Sequence, residues 1–291
     1  MFDDFELSGR GGRPRQLTIF TRQTKIWRFT SAMKDVVIGG NTYTAAPITR
    51  SEIKQAVEKP QDQLTITIPY VRNPAATELP ATQDLGNTWF PYVPYDRVYV
   101  TCLDYHAKDP DLETKQRWTG RVAQPKWNEK TQTLELTCTP RGSSDSNLRR
   151  GPKWQKTCWK TVYSTGERGC LLNPADYLVD ATITAIDGLT ISAAEFGTAP
   201  FNLAGGTFSW ERDLGGGITI LEARPIMAHT GTEIQVLYFG DGLAVGGAVT
   251  ALPNCPGTWA ACTAFGNTQH YGGFSYEPVE DPYNSQSMSW S

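Results

Sequence analysis

QLTITIPYV, residues 63–71, is the run that decides the fold class. Leu64, Ile66 and Ile68 alternate with Thr65 and Thr67 at a period of two, the spacing of a strand with one buried face; a helix would need apolar residues three and four apart. Strand-length runs recur on both sides of it. QLTIFT (16–21) and IWRFTS (from Ile26) read as two strands joined by a short turn, and DVVIGGNTYTAAPIT (35–49) as strand, Gly-Gly-Asn turn, strand. WFPYVPYDRVYVTCLDYH (89–106) returns to strand, and QRWTGRVAQPKWNEKTQTLELTCTPR (116–141) reads as a hairpin turning at Asn128-Glu129-Lys130. SEIKQAVE (51–58) fits a short helix or a paired strand. PAATELPATQDLGN (74–87), broken by Pro80, supports one helical turn or a loop. Up to about residue 140 the pattern is a meander of short strands, as in a small barrel or sandwich.

SSDSNLRRGPKW (143–154) is polar and punctuated by Gly and Pro, and marks a boundary. ATITAIDGLTISA (181–193) gives two short strands about Asp187-Gly188, and residues 201–252 continue as strand-length runs separated by glycine-rich turns. DLGGGI and AGGT have neither the GxxxxGK[ST] nor the GxGxxG spacing of a phosphate loop; hairpin turns needing positive φ account for them. The expected organisation is mainly β. It comprises an N-terminal β domain over 1–150, an inserted β domain over 180–249, and a loop-rich module made of 151–179 plus 250–291.

The chain has 291 residues, 39% hydrophobic and 20% charged, with a net charge of −3. That balance suits a globular protein of more than one compact unit and gives no electrostatic reason to expect nucleic-acid or anionic-membrane binding. The local basic groups, Arg10, Arg13 and Arg15, then Arg141, Arg149, Arg150 and Lys153, read as loop charge or subunit contacts. No apolar run approaches the ~20 residues of a membrane helix, and MFDDFELSGRGGRPRQ is too polar and acidic for a signal peptide, so a reducing cytoplasm is expected.

In that compartment cysteines bind metal or are simply buried more often than they form disulfides. Cys102 and Cys138 lie in strand-like runs and read as buried neutral thiols. The other four lie in loops: Cys158 and Cys170 in TCWKTVYSTGERGC, Cys255 and Cys262 in NCPGTWAACTAFGNTQHYGGF. Four thiolates brought together need a cation or a covalent pairing. The spacings within the pairs are wider than a zinc knuckle, and Cys255 is followed by Pro256 as in ferredoxin runs, but spacing alone leaves an iron–sulfur cluster, zinc, and disulfides or free thiols all open. Trp154, Trp159 and Trp259 are candidates to cover such a centre, and His270 to touch it.

Catalysis has little support in the sequence. His106, His229 and His270 are scattered, there is no GxSxG elbow, and no cysteine has a peptidase context. The expectation is a protein that is not an enzyme. The alternatives are a cell-wall-degrading or redox enzyme on a β scaffold, or a carbohydrate-binding β module presenting some of its Trp and Tyr.

The C-terminal stretch CPGTWAACTAFGNTQHYGGFSYEPVEDPY carries a specific resemblance. Cys255, Cys262, Phe265, Asn267, Gly272, Gly273, Phe274, Pro278 and Asp281-Pro282-Tyr283 resemble the signature of the tail-hub family of siphophages and gene transfer agents. Trp154, Cys158 and Cys170 fit that family's upstream W-x3-C-x11-C unit. The family is similar to the lambda tail tip protein L, whose four cysteines ligate a [4Fe–4S] cluster. The resemblance therefore implies Cys158, Cys170, Cys255 and Cys262 as cluster ligands, with zinc as the runner-up. It also implies a tube-like N-terminal β domain and a homotrimeric baseplate or tail-tip hub in the virion, assembled in the host bacterial cytoplasm. Its partners would be a distal tail protein, the C-terminus of the tape measure protein and a central fibre or receptor-binding protein. A part in DNA ejection is possible for such a hub, whereas sequence-specific nucleic-acid binding and a membrane span are not expected.

Overall fold

The computed structural model describes residues 2–9, 12–53, 63–73, 76–141 and 155–276. Among these the chain is mainly β and divides into two compact units, residues 1–148 with 212–222, and residues 149–211 with 223–291.

The first unit holds strands β1 (Arg15–Arg22), β2 (Lys25–Thr30), β3 (Val36–Ile38), β4 (Asn41–Ala45), β5 (Thr49–Arg50), β6 (Leu64–Pro69), β7 (Tyr99–Tyr105), β8 (Thr114–Asn128) and β9 (Thr133–Pro140). They form one sheet in the order β3-β4-β2-β1-β7-β8-β9-β6-β5. β6 is the deciding run. Leu64, Ile66 and Ile68 are at most 1% exposed, and they pair with Cys138, Leu136 and Leu134 of β9, so both strands point their apolar sets the same way. Phe20, Phe29, Val100 and Trp118 complete that core.

The two end strands of this sheet, β3 and β5, are separated in the chain only by β4. β4 runs parallel to β2, Ala46 N–H then donates to Thr30 O at 3.0 Å, and three residues later β5 pairs with β6. The ten residues from Asn41 to Arg50 therefore bond to strands at both ends of the sheet.

The second unit repeats the device at smaller scale. Its strands are β10 (Val179–Thr182), β11 (Ala185–Asp187), β12 (Thr190–Ser192), β13 (Thr207–Asp213), β14 (Thr219–Thr230), β15 (Glu233–Val236) and β16 (Ala248–Leu252), in the order β10-β16-β13-β14-β15-β12-β11. Residues 212–222, the β13–β14 tip, belong to the first unit. β10 and β11 are again the two ends, joined by Ile183 and Thr184. Ile183 exchanges backbone bonds with Gly247 and Gly246, and Thr184 N–H donates to Ser192 O. Phe196, Leu203, Phe208, Ile226, Ile234 and Val249 fill the interior. The tight turn of DLGGGI is made by Gly215, Gly216 and Gly217, all at positive φ (78°, 63° and 75°), a region closed to most side chains.

Two local expectations change. The strand read from Trp89 begins only at Tyr99: Pro91 and Pro94 have no N–H to give to a ladder, and pairing starts at Val98 O, which accepts from Val122 N–H. A helix, α1 (Phe2–Ser8), stands in the acidic N-terminal run. Asp3 and Asp4 suit its first turn, and Phe2 and Phe5 lie over the ring of His106 at 4.7 and 6.3 Å. Residues 54–58 of the SEIKQAVE run lie outside the described residues, while Gln83–Gly86 form the expected single turn, α2.

Cys102 and Cys138 are fully buried in the first core, as the sequence suggests. Burial pushes the Cys102 thiol up to about 11 and the Cys138 thiol up to about 12, from an ordinary value of 9.0. Both folded values lie above the unfolded one, so the stability these thiols contribute is complete below pH ~9 and is lost as pH rises toward 11–12. Unfolding free energy, followed by denaturant titration under reducing conditions, is expected to fall above pH ~9 by up to about 1.4 kcal/mol per pH unit for each thiol. Cys138→Ala removes one thiol's share of that slope; an unchanged slope counts against the assignment.

Candidate metal centre

Three loop segments of the second unit build the site. The first, residues 155–172, lacks regular structure, and its path is set by polar contacts. Ser164 O accepts from Leu171 N–H, and Ser164 Oγ accepts from Cys170 N–H at 2.9 Å. Leu171 takes a positive φ of 61°, unusual for a branched residue, directly after that cysteine.

The second segment holds Cys255 and helix α3 (Trp259–Ala264), which the sequence reading left as loop. Its signals are standard ones. Thr258 caps the N-terminus through Oγ1, accepting from Ala261 N–H at 3.2 Å. At the other end Gly266 has φ 65°, its N–H donates to Thr263 O, and Asn267 N–H donates to Cys262 O, the paired bonds of a Schellman motif. That cap places Asn267 beside Cys262.

The third segment, Thr268–Phe274, lies against the first. Phe274 N–H donates to Gln155 O, Tyr271 Oη to Lys156 O, and Lys160 Nζ to His270 O. Gly272 and Gly273 are required by this approach. A Cβ on Gly273 would lie 2.5 Å from Lys156 O, and one on Gly272 would lie 2.9 Å from Lys160 Cγ and 3.2 Å from Cys158 Sγ. The Gly-Gly of the motif is therefore steric in origin.

Cys158, Cys170, Cys255 and Cys262 all line one small cavity, ≈ 20 Å³, together with Lys160, Phe265, Asn267 and His270. Cys170 and Cys262 are buried, while Cys158 and Cys255 are half-buried. None of the six cysteines is in a disulfide. Burial first, and then the neighbouring thiols Cys255, Cys158 and Cys170, push the Cys262 thiol up, with Lys160 pulling the other way. Negative charge gathering in the cavity is thus unfavourable unless a cation accompanies it.

The hydrogen bonds to the sulfurs are unequal. Cys158 Sγ accepts from Gly272 N–H at 3.3 Å. Asn267 Nδ2 donates to Cys170 O at 2.7 Å and reaches Cys170 Sγ at 3.4 Å. The Cys262 thiol donates to Asn267 O at 3.2 Å. Asn267 itself is 6% exposed, and the sequence reading quoted it only as part of the motif. Lys160, two residues after a cysteine, was passed over.

Of the tryptophans expected as cover, Trp159 is half-buried but not on the cavity wall, and Trp259 points elsewhere. Trp259 is 47% exposed and packs edge-on against Tyr271, since its place in the first turn of α3 carries it away from the cavity. The apolar lining comes from Val162, Leu172 and Phe265. Behind it Phe265 stacks on Phe201 with centroids 4.3 Å apart, and Tyr177 meets both rings edge-on. Trp154, Pro278 and Asp281-Pro282-Tyr283 lie outside the described residues.

Among the described residues no three His, Cys, Asp or Glu side chains form a group able to hold a single metal ion. Tetrahedral zinc at about 2.3 Å from each sulfur would need those sulfurs roughly 3.8 Å apart. The donor set, four thiols with no carboxylate on the cavity wall, is one that zinc and iron–sulfur sites share.

No protein-family model matches the chain. A protein of Xylella fastidiosa (strain 9a5c), described as uncharacterized, is 40% identical over 246 residues, 82% of this chain and 48% of that protein. The chain thus spans about half the length of the curated relative it matches. Among solved structures, a chain from the virion of a native gene transfer agent particle has the same fold, with a TM-score of 0.67, 14% identity, and 99% of both chains covered.

Replacing Asn267 tests the local architecture. Asn267→Ala leaves Cys170 O without its donor in a buried setting and is expected to destabilise the second unit by about 1–3 kcal/mol. Asn267→Asp, which turns a carboxylate oxygen toward the same carbonyl, should cost more. Hydrogen exchange read by mass spectrometry should show faster exchange confined to residues 155–172 and 254–276; protection equal to the parent chain would remove Asn267 from this role.

Proposed function

We propose that this chain is a structural component of a tailed virion or gene-transfer particle, acting as a trimeric baseplate or tail-tip hub. The observation that carries the reading is the end-to-end fold likeness to a chain of a gene transfer agent virion. The cysteine and Gly-Gly-Phe motif supports the hub assignment, because its residues have physical roles around one cavity rather than forming a chance string. The partners in this reading are the distal tail protein, the tape measure C-terminus and a central fibre, and the role is architectural.

In the same reading Cys158, Cys170, Cys255 and Cys262 hold a [4Fe–4S] cluster. Four thiols that share a cavity, with no three of the described side chains close enough to hold one ion, support a multi-iron centre over a single zinc. The centre, when bound, would supply a cross-link between segments separated by residues 171–254. Free energy of metal binding then becomes folding free energy for the loops. Around it, Asn267 and Gly272 orient sulfurs, Lys160 offsets negative charge, and Phe265 with its stacked neighbours excludes water.

Two measurements test the proposal. Chain purified without oxygen should be brown and carry close to four irons and four sulfides, and the quadruple Cys→Ser variant should carry none; stoichiometric zinc in their place would correct the cofactor and leave the hub role standing. Immunogold labelling of tailed particles from the producing strain should mark the tail end away from the head. Label on the capsid, or none on any particle, would overturn the hub role.

A further inference from the structure

The four cysteines are not equivalent, and the difference singles out one of them. Cys158 Sγ accepts the Gly272 amide and Cys170 Sγ is reached by Asn267 Nδ2, whereas the Cys262 thiol donates to Asn267 O and receives no N–H but is shielded from water at 7% exposure. Backbone contacts reinforce all three: Cys158 N–H donates to Gly257 O, Cys170 N–H to Ser164 Oγ, and Cys262 N–H to Thr258 O. Cys255 Sγ has no hydrogen bond to any described residue. Its own N–H is turned back to the Asn254 side chain, at 2.9 Å, and the next residue, Pro256, has no N–H to offer. Cys255 is also half-buried, whereas Cys170 and Cys262 are 9% and 7% exposed.

An N–H pointing at a ligating sulfur spreads its negative charge and makes its metal bond harder to protonate or oxidise away. A sulfur without such a donor, and open to water, is the weakest member of its set. We infer that Cys255 is the labile ligand of the centre, the one position at which iron is released and the protein thiol becomes available, while the other three hold on. This rests on the cluster reading above and deepens it, giving the site a built-in point of oxidative opening.

The chemistry balances with a one-electron oxidant. A [4Fe–4S] centre at the 2+ level gives one electron to ferricyanide, which becomes ferrocyanide, and one ferrous ion to solution; the remainder holds three irons and four sulfides at the 1+ level. The Cys255 sulfur that bound the departing iron takes up a proton, or bonds to the methylene carbon of iodoacetamide as iodide leaves.

The experiment uses the full chain, loaded anaerobically with ferrous iron and sulfide, treated with one equivalent of ferricyanide and then with iodoacetamide. Iron, sulfide and alkylated peptides are read together. Cys255 should be labelled about tenfold ahead of Cys158, Cys170 and Cys262, the ratio expected from one hydrogen bond of ordinary strength. Iron should fall from four to three per four sulfides. In Asn267→Ala, Cys170 should join Cys255 among the early labels, which general loosening of the fold would not produce selectively. Loaded chain in which another cysteine reacts first, or all four react together, overturns the inference and leaves the cluster in place. Wild-type chain that takes up no iron and sulfide overturns the cluster itself, and the inference with it.

Discussion

The arrangement of the second unit's loops depends on one electrostatic constraint: four thiols share a cavity that cannot accumulate their negative charge unaided. Burial and mutual repulsion hold the Cys262 thiol up, and only Lys160 works against them. The surrounding contacts are what that constraint needs. One asparagine touches two of the cysteines through separate atoms, and a glycine pair lets a backbone approach a third. Segments that have no strand or long helix of their own are thereby given a defined path.

Much of the β architecture was readable before any coordinates. The alternation in 63–71 predicts which side chains of β6 face inward, and the burial of Leu64, Ile66 and Ile68 follows it. The glycine turns and the contrast between strand cysteines and loop cysteines were equally legible, because each is a local property of residue type. What escaped was long-range or conditional. β5 is two residues long and carries no periodic signal, yet it forms one end of the first sheet. The strand expected from Trp89 was delayed by two prolines whose effect depends on pairing partners. α1 draws its support from His106 and from ion pairs to Lys115 and Arg117, none visible in a seven-residue stretch.

The site divides the same way. Residue type and placement brought the four cysteines forward as a set, and one cavity contains them. α3 carried legible signals, Thr258 before it and Gly266 after it, but two turns between glycines are too short for periodicity to register. Asn267 and Gly272 stood in the motif as letters, and only contacts explain them. Trp259 does not cover the cavity, because proximity in sequence does not fix direction and its ring turns outward to meet Tyr271.

The shortness of the strands at the sheet ends has a bearing on how such a chain meets neighbours. The strands at the sheet ends, β3 and β5 in one unit and β10 and β11 in the other, are each only two to four residues long, so little unpaired ladder is offered for a foreign strand to extend. Contacts between chains then fall on turns and side chains, whose identity can drift while the frame persists. A likeness that spans whole chains at 14% identity is what that separation of frame from surface permits.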